Sequence, residues 1–244
     1  PVHYFPPNNG APLGVGSHPH RGIETVTIAY KGKVEHNDST GAGGVIEEGG
    51  IQWMTSGKGI LHKEYHEKNF SKKGGDMQMV QLWVNLPAKD KMTEPKYQNI
   101  ENNDLAKVDL GNGIGSIDII AGEFEKNKGP ASSFTPLSLF NVKLNKGKGT
   151  SLSFNESHNT GLLITKGNVT INNSEKAPTN HFVLFENKGK EFTIKAEDEA
   201  EILVLSGEPI DEPIASYGPF VMNTNEEIRQ TIDDFNSGKF GYLD

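Results

Sequence analysis

Residues 16–24 read GSHPHRGIE, and this stretch decides the predicted fold. Side chains two residues apart in an extended strand point the same way, so His18, His20 and Glu24 are predicted to share one face. Val26 and Ile28 have the same parity and are apolar. We therefore expect this face to look into the interior of a β-barrel.

A second stretch, GILHKEYH at residues 59–66, repeats the pattern. His62, Glu64 and His66 share its face with the apolar Ile60, again by the two-residue period of a strand. Two strands that direct imidazole and carboxylate groups into one barrel can offer three or four ligands to one divalent cation. The sequence therefore predicts a metal site.

The types of donor atom limit which metals the predicted site can bind. The chain has no Cys, which excludes thiolate ligands, disulfides and a Cys nucleophile. Imidazole with carboxylate suits Fe(II), and also Mn, Ni, Cu or Zn. His18, His20 and His62 plus one carboxylate would leave a coordination position open, as in catalytic sites. Either Glu24 or Glu64 can supply that carboxylate, and His66 has suitable parity too.

The other histidines and the two tryptophans are predicted to be surface or core residues that lie outside the metal site. His36 precedes Asn37-Asp38 and is predicted to lie in a surface turn, and the same exposed position is expected of His3, His158 and His181. Trp53 and Trp83 are predicted to be core residues.

Composition indicates many short strands joined by turns. The 244 residues include 28 Gly and 13 Pro and carry a net charge of −8. Nucleic-acid binding requires clustered basic residues, and no such cluster is evident, so direct binding is not expected. No membrane span or signal peptide is expected either, and we predict a cytoplasmic protein. Because the chain begins at Pro1, we expect further residues upstream.

Alternating β-branched and apolar residues predict strands at 23–30 and 79–86, and a second β-rich set from 137 to 205. Residues 87–130 are the most linker-like, although 114–120 still predict a strand, and residues 68–76 are expected to form a charged loop. One helix is predicted at about 225–236, because Thr224 and Glu227 form a capping-box pattern.

The two β-rich sets form a degenerate repeat. YKGKV at 30–34 matches TKGNV at 165–169, and counting back from the shared Gly places Ser153, Asn155 and Asn159 at the positions of His18, His20 and Glu24. A hydroxyl and two amides are poor ligands for a transition metal. We therefore predict two domains, 1–126 with a metal site and 127–244 without one, the second ending in the helix.

Four long motifs resemble the pirin family of the cupin superfamily, and its bacterial members most. They are HPHRGIETV at 18–26, QWMTSGKGILH at 52–62, QLWVNL at 81–86 and GPFVMNTNEEI at 218–228. The resemblance implies an all-β bicupin fold of two stacked antiparallel, jelly-roll-like β-barrels with metal in the first. Pirins normally carry a further segment before the position of Pro1.

The resemblance also implies the ligands and the activity. The family's four ligands map onto His18, His20, His62 and Glu64, which leaves Glu24 as a neighbouring or substitute group and His66 as a further candidate base. Several pirins resemble quercetinases, which cleave a flavonol such as quercetin with O₂ and release carbon monoxide. The vertebrate member is instead an iron-dependent transcriptional coregulator that acts through protein partners, and this regulatory role is the alternative expectation.

Overall fold

The computed structural model describes residues 1–7 and 10–244, and strands dominate it. The strands, in chain order, are β1 Val2–Tyr4, β2 Gly14–His20, β3 Ile23–Lys31, β4 Val34–Asp38, β5 Gly43–Ile46, β6 Ile51–Thr55, β7 Ile60–His66, β8 Gly75–Asn85, β9 Lys96–Ile100, β10 Ala106–Asp109, β11 Gly115–Ala121, β12 Glu123–Phe124, β13 Asn127–Lys128, β14 Leu137–Leu144, β15 Gly149–Ser153, β16 Asn159–Lys166, β17 Val169–Ile171, β18 Glu175–Ala177, β19 Phe182–Leu184, β20 Glu191–Ala196, β21 Ala200–Gly207, β22 Ala215–Tyr217 and β23 Phe220–Met222. The helices are α1 Lys68–Lys73 and α2 Asn225–Asn236, and 3₁₀ turns lie at Ala88–Asp90 and Asn102–Asp104.

The first compact unit consists of residues 1–104 and 211–244. Its barrel has a five-stranded sheet, β1-β8-β3-β6-β9, and a four-stranded sheet, β2-β7-β4-β5. All strand pairs in both sheets are antiparallel. Strand β3 lies in the middle of the larger sheet and is buried from Ile23 to Tyr30, as its β-branched and apolar composition requires.

The chain changes sheets between β2 and β3. Gly22 lies at this corner with φ +78°, and a Cβ there would collide with the carbonyl oxygen of Val221. Only glycine suits a positive φ at so close an approach of two backbones. The corner therefore breaks the two-residue parity that the sequence prediction carried from His20 to Glu24.

The second unit, residues 105–210, is a second barrel. Its sheets are β10-β11-β14-β21-β16-β19 and β15-β20-β17-β18. Gly32 and Gly167 occupy matching turns with φ +84° and +76°, and each turn follows a register shift in the preceding strand. This correspondence confirms the internal repeat, and the two barrels confirm the all-β bicupin fold.

The compact units differ from the predicted division at 126/127. Strand β11 pairs with β10 and β14, which places residues 105–126 in the second unit. The tail from 211 belongs with the first unit, because Arg21 forms a bridge with Phe220 and a buried ion pair with Asp234 of α2. The sequence prediction followed chain order and could not anticipate this return.

Helix α2 begins as predicted. Thr224 accepts a hydrogen bond from the Glu227 backbone, and the Glu227 carboxylate accepts one from the backbone N–H of Thr224. The predicted loop at 68–76 instead contains α1, where Glu67 accepts from the backbone of Asn69 and Phe70. None of the helices in the described part of the chain is long and apolar enough to cross a membrane.

Candidate metal centre

One face of the four-stranded sheet gathers the candidate ligands. Directly paired residues of antiparallel strands point to the same side. His18 pairs with His62, and His62 pairs in turn with Asp38 of β4. His36 pairs with Glu64 on the same face. Strands β2, β7 and β4 therefore direct imidazole and carboxylate groups into the first barrel.

Three of these rings converge. Ligand-capable atoms of His18, His20 and His62 all lie within 4.8 Å of one another. The centroids of the rings of His18 and His62 are 4.2 Å apart, and those of His20 and His62 are 4.9 Å apart. Nδ1 of His18 lies 2.8 Å from the carbonyl oxygen of Gly16, to which it can donate, and that leaves Nε2 of this ring to face the cluster.

The cluster holds nitrogens without a hydrogen-bond partner of good geometry among the described residues. They are Nε2 of His62 and both ring nitrogens of His20. Burial lowers the pKa of His20 to about 4, with His18 adding to the effect and the backbone of Pro219 opposing it. Burial, followed by the neighbouring His20, His18 and His36, lowers the pKa of His62 to about 2. Both rings are therefore neutral at pH 7, the form that binds metals.

Glu64 lies at the other side of His62. Its Oε1 accepts a hydrogen bond from the hydroxyl of Thr27 at 3.0 Å, and its Oε2 accepts one from the amide of Gln81 at 2.6 Å. Among the described residues its carboxylate belongs to a second group, in which ligand atoms of His36, His62 and Glu64 lie within 4.8 Å of one another. His62 is common to both groups.

The structure corrects the placement of Glu24. Thr27 touches Glu64, so the odd-numbered residues of β3 face the cluster and Glu24 points to the opposite side of the sheet. There Glu24 accepts a hydrogen bond from the hydroxyl of Thr55, its direct partner on β6, at 2.7 Å. Burial raises the pKa of Glu24, with the hydroxyl of Thr55 opposing that shift.

His66 lies at the end of β7, beyond Glu64. Its ring packs edge-on against Tyr4 with a centroid separation of 4.4 Å and against Phe70 at 5.4 Å. It belongs to neither ligand group within the described residues. Burial lowers the pKa of His66.

The prediction that His36 lies in a surface turn is wrong. His36 is 1% exposed within β4, and its ring stacks on Tyr97 at 4.5 Å with an interplanar angle of 7°. Its Nε2 lies 3.0 Å from Oδ2 of Asp38. Burial acts to raise the pKa of Asp38, but hydrogen bonds from His36 and Thr40 outweigh it and hold that pKa below its usual value. The alternation of Val34, His36 and Asp38 was the signal for a strand with one inward face.

Trp83 also differs from its prediction as a core residue. It is 50% exposed, and its ring meets the ring of His20 edge-on at a centroid distance of 5.2 Å. Trp53 is fully buried, as predicted. Trp83 therefore presents an indole surface to solvent directly beside one of the clustered imidazoles.

Two barrels with a histidine cluster inside the first define a bicupin. The sequence matches two family descriptions, "Pirin" over residues 3–84 and "Pirin C-terminal cupin domain" over residues 139–241. A Pseudomonas aeruginosa protein named "Putative quercetin 2,3-dioxygenase PA2418" is 45% identical over 236 residues, which are 97% of this chain and 82% of that protein. The chain belongs to the pirin family.

Solved structures agree with this assignment. The crystal structure of quercetin 2,3-dioxygenase from Acinetobacter baumannii is 46% identical, with a TM-score of 0.94 over 100% of this chain and 84% of that chain. The bacterial pirin YhhW of Escherichia coli, solved in complex with nickel(II), has a TM-score of 0.65 at 23% identity and covers 80% of this chain and 77% of that one. At that identity the second likeness concerns the fold alone.

Proposed function

We propose that this protein is a metal-dependent dioxygenase of the quercetin 2,3-dioxygenase type, which cleaves a flavonol with O₂. The observation that carries the proposal is the cluster of the half-buried His18 with the buried His20 and His62, beside the exposed indole of Trp83. The printed names of the relatives from Pseudomonas and Acinetobacter support the substrate class. We assign the metal to His18, His20, His62 and Glu64, with Fe(II) as the leading candidate and Mn, Ni, Cu or Zn also suited to these donors.

The residues present fit a divalent cation. Buried polar atoms normally have partners, so Nε2 of His62 and the two ring nitrogens of His20, which have no hydrogen bond of good geometry among the described residues, require an explanation. Both rings are held neutral by burial, as metal ligands must be. When bound, the cation would supply an electrophilic centre that acidifies a coordinated hydroxyl and brings O₂ chemistry to the site.

Glu64 is proposed to accept the proton of the flavonol 3-hydroxyl. A general base must be held within reach of that proton. The hydrogen bonds from Thr27 and Gln81 fix both oxygens of Glu64 next to His62 while leaving further lone pairs available. We assign no part in this step to Glu24, which faces away, or to His66, which packs on Tyr4 and Phe70.

Trp83 is proposed to hold the flat substrate. An exposed indole offers a large rigid surface for stacking an aromatic ring. Its contact with His20 places that surface at the edge of the cluster. The proposed orientation of a flavonol stacked there directs its 3-hydroxyl, the group that Glu64 is proposed to deprotonate, toward the imidazoles.

The test is anaerobic reconstitution with Fe(II), followed by quercetin under air and measurement of the loss of flavonol absorbance and the release of carbon monoxide. Turnover is expected in the original protein and in the exposed control variant His181→Ala, and is expected to be lost in His62→Ala. A metal-loaded protein that leaves quercetin intact would contradict the enzymatic proposal and favour the regulatory role that the family resemblance implies.

A further inference from the structure

We propose that Asp38 and His36 fix the tautomer of His62, so that its Nε2 carries a lone pair directed at the proposed cation. Both are positioning residues, since neither is assigned to the metal. The inference rests on the proposed metal site but does not depend on which reaction occurs there. It gives a role to the buried histidine that the sequence alone placed at the surface.

The chain of hydrogen bonds begins at Asp38, whose side chain is fully buried. Its Oδ1 accepts from the hydroxyl of Thr40 at 2.6 Å and from the backbone N–H groups of Thr40 and Ala42 at 2.9 and 3.3 Å. Its Oδ2 lies 3.0 Å from Nε2 of His36. An ionised carboxylate can only accept, so Nε2 of His36 must carry the hydrogen.

The position of the hydrogen on His36 in turn determines the position of the hydrogen on His62. With its one hydrogen held on Nε2 by Asp38, the ring of His36 would present Nδ1 as an acceptor. This atom lies 3.4 Å from Nδ1 of His62, which must then be the donor. Stacking on Tyr97 holds the plane of the His36 ring in place. With hydrogen on Nδ1, His62 has its lone pair on Nε2, the buried nitrogen that has no hydrogen-bond partner within residues 1–7 and 10–244.

The same argument bears on the group formed by His36, His62 and Glu64. A cation bound to this group through Nδ1 of either ring would have to replace the hydrogen bond between Nδ1 of His36 and Nδ1 of His62. The hydrogen bond between these rings uses both atoms. We therefore expect one cation for each chain, held at the His18, His20 and His62 side.

The experiment uses the full chain and Asp38→Asn, which preserves shape. Three donors surround Oδ1 of residue 38, so the amide oxygen should stay there and the amide NH₂ should face Nε2 of His36. The hydrogen of His36 would then move from Nε2 to Nδ1, and the hydrogen of His62 would move from Nδ1 to Nε2. The matched control is Thr40→Val, which removes a hydrogen bond from the other oxygen of Asp38 and leaves His36 untouched.

The two readouts are Ni²⁺ affinity by titration and the ¹⁵N chemical shifts of the His62 ring in metal-free protein. We expect hydrogen on Nδ1 in the original protein and on Nε2 in Asp38→Asn, with Ni²⁺ binding about 10–100-fold weaker in the variant and little changed in Thr40→Val. Neither readout involves a flavonol, so failure of the proposed enzymatic activity would not be mistaken for failure of this inference.

Three results would overturn it: hydrogen on Nε2 of His62 in the original protein, unchanged Ni²⁺ affinity in a folded Asp38→Asn variant, or two Ni²⁺ ions for each chain. Should Asp38→Asn fail to fold, the tautomer of His62 in the original protein decides the question alone.

Discussion

The hydroxyl of Thr27 donates a hydrogen bond to Oε1 of Glu64, although the two residues lie in different sheets of the first barrel. Gln81 completes the arrangement by donating to Oε2 of Glu64 and to the hydroxyl of Thr27. Two neutral side chains of the larger sheet, Thr27 and Gln81, therefore decide where the carboxylate of Glu64 lies.

Replacing Thr27 by Val should weaken metal binding without removing a ligand. The change leaves Oε1 of Glu64 without its hydroxyl partner, and outer partners of ligating groups typically account for about 10–100-fold in affinity. Titration with Ni²⁺ would measure the loss. Thr25→Val, two residues away on the same face of β3, is the control and should bind normally. Equal affinities in both variants would show that Thr27 does not position Glu64.

Replacing Trp83 by Ala should raise the KM for quercetin and leave kcat nearly unchanged, because the indole is proposed to bind the substrate rather than to act on it. Loss of one stacking contact is expected to cost roughly 0.5–1.5 kcal/mol. Trp83→Phe should retain most of the affinity.

Tryptophan fluorescence offers an independent check on the same residue. Trp53 is buried and Trp83 is half exposed, so a flavonol should quench mainly the emission of Trp83. Quenching without turnover would support the binding site while contradicting the proposed reaction. An unchanged KM for quercetin in an active Trp83→Ala variant would contradict the binding role of Trp83 and leave the proposed reaction standing.

The metal-free protein should lose stability as the pH falls from about 6.5 toward 4. Burial lowers the pKa of His20 to about 4 and of His62 to about 2, from an ordinary value of 6.5. In that window the unfolded chain binds more protons than the folded one, so the free energy of unfolding decreases by up to about 1.4 kcal/mol per pH unit for each ring.

Urea unfolding at several pH values would measure this slope. His62→Gln removes one of the two rings and should show a shallower dependence between pH 6.5 and 4 than the original protein. Identical slopes would mean that His62 is not held in a neutral, buried state.

Breaking the ion pair between Arg21 and Asp234 should destabilise the first unit. The pair is 2.9 Å long and almost fully buried, and it fastens α2 to the residue next to His20. Hydrogen bonds from Lys239, Gln230 and Arg21 hold the pKa of Asp234 well below its usual range. Asp234→Asn leaves Arg21 buried without a counter-charge, a change that typically costs about 3–5 kcal/mol.

Thermal unfolding would show this loss as a lower Tm. The exposed pair of Arg229 and Glu226 on the same helix provides the control, because Glu226→Gln should change stability by less than about 0.5 kcal/mol. Comparable effects of the two substitutions would contradict the anchoring role of Arg21.

Much of the fold could be predicted from the sequence because its signals are local. The alternation in β3 and the capping box of Thr224 and Glu227 need only near neighbours in the chain. The repeat around Gly32 and Gly167 could be predicted in the same way. Both turns require a positive φ, and glycine is the residue that adopts it most easily. The return of α2 to the first unit depends on Arg21 and Asp234, which are distant in sequence, and no local pattern reports such a contact.

The site was predictable in part for the same reason. His18, His20 and His62 were identified from two-residue spacing within single strands. That spacing failed for Glu24 because Gly22 turns the chain into another sheet. His36 was misplaced because the polar residues around it suggested a turn, whereas pairing of β4 with β7 buries it. Trp83 is predicted to lie in the core because large aromatic side chains are usually buried. The size of a side chain does not indicate whether it lies at a binding site.

Metal stoichiometry bears on the convergence of His18, His20 and His62 more directly than any other measurement. Purified protein should be loaded anaerobically with Fe(II), freed of excess metal and subjected to elemental analysis, alongside His62→Ala and the control His181→Ala. We predict one divalent ion for each chain in the original protein and in the control, and essentially none in His62→Ala. Equal metal content in all three proteins, or no bound metal in any of them, would contradict the assignment of this cluster as a metal centre.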